Sequence, residues 1–213
     1  MKTLKGPLKV DCIYRRLDDN FLDPKAFNKD SVIGVPGLFK CWLKKNVGIV
    51  NAIGTGVADD KVVYSYVNKM IIYYLGEQPV LNQVETYLCH DKKQREYVLE
   101  NMSRLVVKPA NASGGYGIMI GPKASTKERE EVAAKIKKNP REYIAQPLET
   151  LSTAPTITEK NIEPRHLDLR PFVLSGKTNY VTTGGLTRVA LRKGSTIVNS
   201  SQGGGSKDTL IVE

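Results

Sequence analysis

Apolar residues recur along the chain at two spacings, and each spacing predicts a different kind of element. From Val62 to Tyr74 they fall at helical spacing, with Asp59 and Asp60 before them, so we predict a helix that ends at Gly76. Other helical patterns cover 36–45 and 91–101, and a further one begins at a sequence that resembles a capping box, Ser125 with Glu128, and stops at Asn139–Pro140. Short apolar or alternating runs predict strands at 9–15, 47–51, 86–88 and 143–147. This mixture is typical of an α/β protein.

After residue 147 the pattern changes to strands without intervening helices. Alternating segments at 166–174, 178–183, 186–192 and 195–199 predict an antiparallel sheet, with a hairpin turn at Ser175–Lys177. A loop rich in Thr, Ser and Pro precedes them. We place the boundary between two parts of the chain near residues 100–104.

Composition and charge narrow the function classes. The net charge is +10, but the basic residues are dispersed and aromatic residues make up only 7%, which argues against a nucleic-acid-binding protein. The apolar runs are too short to span a membrane, and no secretory signal pattern is present. Three scattered cysteines fit a reducing compartment, so we expect a cytoplasmic protein.

The segment 105–121 carries the strongest chemical signal. A short apolar run ends at Lys108, a glycine-dense loop follows at 113–117, and a second apolar run closes the segment. Glycines let backbone N–H groups turn toward an anion, and the lysine supplies charge, so a nucleoside triphosphate is the leading ligand. The loop matches neither the Walker pattern nor G-x-G-x-x-G, so a plain surface hairpin stays open as an alternative.

Polar residues within the later strands point to the same ligand. His166, Asp168 and Arg170 alternate with leucines and therefore share one face of their strand. A carboxylate suits ribose hydroxyls and a guanidinium suits phosphate, although a solvated face is the commoner outcome for one strand. Arg188 and Asn199 follow the same logic beside glycines. No histidine or cysteine spacing suggests zinc.

Several motifs occur along the chain in an order that is typical of a known family. They are Val-Val-Lys-Pro (106–109), Ser-Gly-Gly-Tyr-Gly (113–117), Tyr-Ile-Ala-Gln-Pro (143–147), Asp-Leu-Arg-Pro-Phe-Val-Leu (168–174), Gly-Gly-Leu-Thr-Arg-Val-Ala (184–190) and Val-Asn-Ser-Ser-Gln-Gly-Gly-Gly-Ser-Lys-Asp (198–208). This series resembles the ATP-grasp superfamily, and in particular the circularly permuted proteins near glutathionylspermidine and glutathione synthetases. Motifs at 10–16, 23–24, 34–37 and 51–61 extend the resemblance over almost the whole chain.

The resemblance implies a fold and a set of binding residues. Residues 1–104 would form a small Rossmann-like α/β segment that flanks the substrate, and 105–213 an ATP-grasp nucleotide clamp of mixed and antiparallel sheets. Lys108 would bind the phosphates of ATP, Gln146 would lie beside the adenine, and Asp168 near the ribose. The loop residues would close over the phosphates: Ser113, Gly114, Gly115, Tyr116 and Gly117.

The resemblance also implies a reaction. ATP would activate a carboxylate as an acyl phosphate, and an amine would then attack to form an amide. Arg170 and Arg188 would act catalytically by stabilising the transferred phosphoryl group, and Asn199 would lie close to Mg²⁺. Such work depends mainly on positioning and charge stabilisation.

The sequence departs from the family pattern in two features. Full chains of the family look roughly twice as long, and the N-terminal half missing here carries a Glu-Asp-Asn motif expected to hold Mg²⁺. Asn111 stands where the family often has an aspartate, so the chain looks short of metal-binding carboxylates. We therefore expect the C-terminal half of a ligase, which a separate acidic chain would complete. A non-catalytic nucleotide- or anion-binding module that needs a partner chain stays open as the alternative.

Overall fold

The structure is a computed structural model that describes residues 2–111, 116–158, 161–196, 198–199 and 203–209. It divides into two compact units, the first ending at Gln83 and the second beginning at Val84. No helix in the described ranges is long and apolar enough to cross a membrane.

The first unit contains two small pairs of strands. Strands β1 (Lys2–Thr3) and β2 (Gly6–Pro7) are antiparallel, whereas β3 (Cys12–Tyr14) and β4 (Gly48–Val50) are parallel. Two short helices, α1 (Asp19–Leu22) and α2 (Leu38–Leu43), occupy the connection between β3 and β4. Parallel strands need such a crossover. A small core of the first unit consists of Leu22, Leu38 and Ile49. The partly buried side chains packed against them are Ile13, Trp42, Val47 and Ile53.

A buried carboxylate anchors the start of α2. Asp23 accepts N–H bonds from Lys25 and Gly37 through Oδ1, at 2.9 and 3.0 Å, and from Phe39 through Oδ2 at 2.9 Å. Burial alone would raise the pKa of Asp23, but these three backbone bonds bring it below its usual value. Asp23 therefore stays charged and fixes the loop that leads into α2.

The predicted helix over 59–76 is present but interrupted. A 3-10 helix (Thr55–Asp59) leads into α3 (Lys61–Tyr64), which Asp60 caps, and α4 (Val67–Leu75) ends at Gly76 with a φ of +68°. Between them the Ser65 hydroxyl donates to the carbonyl of Val62, which competes with the helical hydrogen bonds. The predicted stop at Gly76 is thus confirmed, and the continuous helix is wrong.

The second unit begins with a four-stranded antiparallel sheet. It contains β5 (Tyr87–Leu88), β6 (Leu105–Pro109), β7 (Met119–Ile120) and β8 (Tyr143–Pro147) in the order β5-β8-β6-β7. Helices α5 (Lys92–Glu100) and α6 (Thr126–Lys138) pack on one face, and 3-10 helices lie at Gly121–Lys123 and Pro140–Glu142. The buried core between helices and sheet consists of Cys89, Val98, Met102, Leu105, Val107, Met119, Ile136 and Ala145.

Because Val98 of α5 and Cys89 lie in this core, the elements just before residue 105 pack with those just after it. The compact unit therefore begins at Val84. The division of function into parts 1–104 and 105–213 stays a prediction.

A second antiparallel sheet follows. Strands β9 (Thr153–Ile157), β10 (Ile162–Ser175), β11 (Asn179–Ala190) and β12 (Gly204–Lys207) lie in the order β12-β11-β10-β9. The predicted segments 178–183 and 186–192 are one strand with an irregular register. The fourth strand is β12 rather than 195–199, of which the described residues lie outside any strand. The predicted α/β fold class with antiparallel sheets is confirmed.

Candidate functional site

Lys108 and Gln146 lie on the same face of the first sheet. Val106 pairs with Gln146, and Lys108 pairs with Ile144, across the β6–β8 ladder. Paired residues share a face, so Val106, Lys108, Ile144 and Gln146 all point away from the core that α5 and α6 cover. We call this face, opposite to the one that α5 and α6 cover, the helix-free face. Gln146 is only 8% exposed there.

A directed chain of hydrogen bonds crosses three strands on the helix-free face. The Lys108 ammonium donates to Gln146 Oε1 at 2.6 Å, and Gln146 Nε2 donates to Thr86 Oγ1 at 2.9 Å. The Thr86 hydroxyl donates in turn to the carbonyl of Val84 at 3.0 Å. This chain fixes the lysine charge at a defined position beside a buried amide.

The far end of the glycine loop packs against the strand that carries Lys108. Gly117 has a φ of +70°, and a Cβ there would meet Pro109 Cγ at 2.9 Å, so a side chain would be both strained and crowded. Tyr116 beside it is exposed. Ser113, Gly114 and Gly115 lie outside the described residues, so their predicted role stays a prediction.

The second sheet brings Asp168 and Arg188 into direct contact. They pair across the β10–β11 ladder, and Arg188 Nε donates to Asp168 Oδ1 at 2.8 Å, while Nη2 donates to Oδ2. These hydrogen bonds lower the pKa of Asp168, against a raising effect of burial, and they raise the pKa of Arg188. Both groups are therefore charged near neutral pH.

Arg170 lies on the same strand as Asp168, whereas Asn199 lies outside any strand, beside the start of β12. Arg170 is exposed on β10, and its charge also lowers the pKa of Asp168. Asn199 is half-buried, and its carbonyl accepts the N–H of Gly204 at 2.9 Å. A Cβ at Gly204 would lie 2.2 Å from the carbonyl oxygen of Val198, so the turn holding Asn199 requires glycine.

Comparison with known proteins shows which family the chain belongs to. Residues 1–190 match the family described as circularly permuted ATP-grasp type 2. The chain belongs to this family. A protein of Synechocystis sp. is 56% identical over 100% of this chain and 44% of its own length. One of Mycobacterium tuberculosis is 54% identical over 100% of this chain and 39% of its own length.

A third relative bears a name that states an activity. A protein of Frankia casuarinae named "Putative glutamate--cysteine ligase 2-2" is 50% identical over 95% of this chain, which covers 23% of that relative. The chain thus spans less than half the length of the curated relatives named here. Most of the protein that bears the ligase name lies outside the matched region.

The described residues of this ATP-grasp chain fit a polyphosphate better than they fit a metal ion. Lys108 supplies a positive charge, which an anion needs, whereas Ser113, Gly114 and Gly115 lie outside the described residues. Among the residues that the structure describes, no three acidic, histidine or cysteine side chains form a group able to hold a metal. Asp168 is engaged by Arg188, and Asn199 offers only neutral oxygens. Mg²⁺ prefers charged oxygens, so this donor set does not complete a Mg²⁺ site.

The structure therefore brings the predicted site residues together as two pairs. Lys108 contacts Gln146 on the first sheet, and Asp168 contacts Arg188 on the second. Sequence reasoning missed Thr86, which holds the first pair. The signal was available in the spacing of the predicted strand, because Thr86 stands two positions before the buried Leu88 and so shares its face.

Proposed function

We propose that this chain is the nucleotide-binding part of an ATP-dependent carboxylate–amine ligase. The observation that carries the proposal is the Lys108 ammonium, held by Gln146 next to the strand end against which Gly117 packs. A fixed ammonium suits the phosphates of ATP, and the glycine-dense sequence before Gly117 is typical of a phosphate-binding loop. Membership in the ATP-grasp family supports the same ligand.

In the reaction we propose, a carboxylate oxygen attacks the γ-phosphorus of ATP, and ADP leaves with the electron pair of the broken P–O bond. An amine then attacks the carbonyl carbon of the acyl phosphate, inorganic phosphate leaves, and the amine gives up a proton. Lys108 and Gly117 would hold the nucleotide, with Gln146 beside the adenine and Asp168 toward the ribose. Arg170 and Arg188 would offset negative charge as the phosphoryl group moves.

Mg²⁺ would enter this site with the nucleotide. Asn199 would lie near it, and carboxylates from outside the matched region would complete its coordination, since those of the described residues do not. We assign the protein to the cytoplasm, because Cys12, Cys41 and Cys89 are all free thiols.

A second candidate function is that of a binding module which becomes catalytic only with a further polypeptide. Its support is an exposed apolar surface on the second sheet, the distal arm, which we define as residues 171–184 of the β10–β11 hairpin. Val173 pairs with Val181 on one face of the arm, and Leu174 pairs with Tyr180 on the other. Each of these side chains is more than half exposed.

Apolar side chains on both faces of a hairpin call for covering on both faces. The relatives named above continue well beyond the matched length, so we propose that their additional polypeptide covers the distal arm. The net charge of +10 on this chain would favour an acidic polypeptide there. On this view the chain alone binds ATP and does not turn it over.

Binding is tested first, with the chain alone. We expect ATP with Mg²⁺ to raise the melting temperature, and Lys108→Met to remove most of that rise because the phosphates lose a fixed charge. Lys123→Met changes an exposed lysine of the same unit and serves as the matched control. Equal stabilisation of the Lys108→Met and control variants would refute the site.

Turnover is tested by reconstitution. The chain is mixed with the complementary part of the Synechocystis relative, and ADP release is followed with ATP, L-glutamate and hydroxylamine, which traps an acyl phosphate as hydroxamate. We expect hydroxamate from the mixture and none from either part alone. Other amino acids replace glutamate in parallel, because the glutamate in a relative's name concerns that relative. ADP release by the chain alone would refute the need for a partner.

A further inference from the structure

The hydrogen-bond chain on the helix-free face points to a role for Thr86 that lies beyond ATP binding as such. A glutamine side chain offers an acceptor oxygen and a donor NH₂ group that are nearly the same size, so its amide can sit either way round in a pocket. Gln146 is buried, and both of its ends have partners. What those partners can donate or accept decides which way round the amide lies.

The two neighbours of Gln146 select the same orientation independently. An ammonium only donates, so Lys108 requires the oxygen of the amide on its side. The Thr86 hydroxyl spends its single proton on the carbonyl of Val84, so toward Gln146 it can only accept, and it requires the NH₂ group. In the reversed orientation, the N–H groups of the amide would face the Lys108 ammonium. Its oxygen would face a lone pair of the Thr86 hydroxyl.

We propose that Thr86 is a positioning residue that fixes the Gln146 amide with its oxygen toward Lys108. This inference rests on the proposed function where it concerns the nucleotide. The oxygen of Gln146 has a second lone pair beyond the one that Lys108 uses. Directed over the sheet, it accepts from the 6-amino group of adenine and repels the 6-oxo group of guanine. Thr86 thereby contributes to the choice of ATP over GTP, although it touches neither base.

The first experiment needs no nucleotide. The chain has five glutamines, so labelling glutamine with ¹⁵N gives few side-chain amide signals, and Gln146→Ala identifies the relevant pair. In the intact chain, we expect slow hydrogen exchange for the Gln146 amide. Thr86→Val keeps the branched shape and removes the hydroxyl, and it should speed that exchange about tenfold or more, as expected when a buried donor loses its partner. Thr86→Ser restores the hydroxyl and should restore the protection.

A matched control comes from helix α5, which contacts the same strand. Gln94 Oε1 accepts the N–H of Leu88 in β5 at 2.7 Å, so Gln94→Ala disturbs β5 without touching the chain from Lys108 to Val84. Fast Gln146 exchange in Thr86→Val, but not in Gln94→Ala or Thr86→Ser, supports the proposal. Unchanged exchange in Thr86→Val overturns it, and so does equal loss of protection in Gln94→Ala, because general loosening of β5 would then explain the effect.

The second experiment concerns base choice. We measure the dissociation constants of ATP and GTP for the intact chain and the two Thr86 variants. The ATP preference should fall about tenfold in Thr86→Val, the factor that corresponds to 1.4 kcal/mol, and stay within about twofold in Thr86→Ser. A preference unchanged in Thr86→Val overturns the nucleotide part of the inference. Failure of the intact chain to bind either nucleotide counts against the proposed function, while the exchange experiment still decides the role of Thr86.

Discussion

The two sheets of the second unit hold their polar residues in different ways. On the first sheet, Lys108 is bonded to a neutral amide, which is bonded to a neutral hydroxyl. On the second sheet, Arg188 is bonded to the charged carboxylate of Asp168. The group that accepts from the lysine is neutral, whereas the group that accepts from the arginine is a charged carboxylate. The second arrangement is therefore the one whose contribution to stability depends on pH.

The sheets also differ in how completely they are covered. Ile144 at the centre of the first sheet is fully buried, whereas Leu174 near the end of the second is 61% exposed. Burial makes the first sheet a stable base for its polar residues. Because the distal arm is exposed, we expect the second sheet to be the part that a further polypeptide would change. The predictions below test this contrast.

The largest expected effect concerns burial. Ile144→Ala should lower the free energy of unfolding by about 3 kcal/mol, because it leaves a cavity in a packed sheet. Leu174→Ala should change it by less than about 0.5 kcal/mol in the chain alone, since the side chain is already in water. Urea unfolding followed by circular dichroism measures both. A loss of similar size at both positions would mean that the distal arm is packed in solution.

A smaller effect is expected from the ion pair. Arg188→Ala removes both hydrogen bonds to Asp168 and should cost about 1 to 2 kcal/mol, since the pair is only partly buried and water screens the remaining carboxylate. The double variant with Asp168→Asn should recover part of that loss. If the two single losses simply add in the double variant, the pair contributes nothing as a pair.

The pH dependence of the same pair is a finer test. The pKa of Asp168 is lowered in the folded chain, so the pair contributes fully above the unfolded value of about 3.9, and its contribution is lost as the pH falls through the folded value. The stability difference between the intact chain and Arg188→Ala should therefore shrink in acid. Thr86→Val should differ from the intact chain by the same amount throughout, because neither hydroxyl nor amide titrates there. A pH-independent Arg188 difference would contradict the charge pairing.

The smallest effect lies outside the site. Ser125 and Glu128 form the predicted capping box at the start of α6, and Ser125→Ala should cost about 1 kcal/mol. Because α6 packs on the first sheet, the loss should appear as global destabilisation and leave the Gln146 amide exchange pattern intact. Thermal unfolding and the labelled glutamine spectrum check the two halves of this expectation.

Elements with local sequence signals were predicted closely. Tyr143–Pro147 is a strand with the predicted bounds, and the turn after Ser175 joins two long strands as expected. In each case a short apolar run or a glycine turn determines the structure through neighbouring residues alone.

Elements that depend on distant contacts were missed. Strand β9 contains Pro155, which lacks a backbone N–H donor, so the sequence pattern did not predict a strand there. The strand forms because β9 lies at the sheet edge, where proline is tolerated. Strand β12 begins with Gly204 and Gly205, which have no strand preference. They form one by pairing with Ala190 and Val189 of β11, and the close approach of Val198 and Leu191 leaves no room for side chains there.

The site shows the same division. The local pattern predicts roles for Lys108, Asp168 and Arg188, because each stands in a recognisable strand, and these roles stay predictions. It could not reveal that Asp168 and Arg188 bond to each other, since their pairing depends on the register of β10 against β11. It also missed Thr86, because its hydroxyl matters only through Gln146, sixty residues away.

The central claim is that the cations of both sheets face one nucleotide, and paramagnetic broadening tests it most directly. Cr(III)–ATP holds its metal without help from the protein, so it reports proximity even where the chain lacks metal ligands. We predict that signals of Lys108 and Gln146 on the first sheet and of Asp168 and Arg188 on the second broaden together, and that excess ATP with Mg²⁺ reverses the effect. Broadening confined to one sheet, or absent from both, would contradict the account.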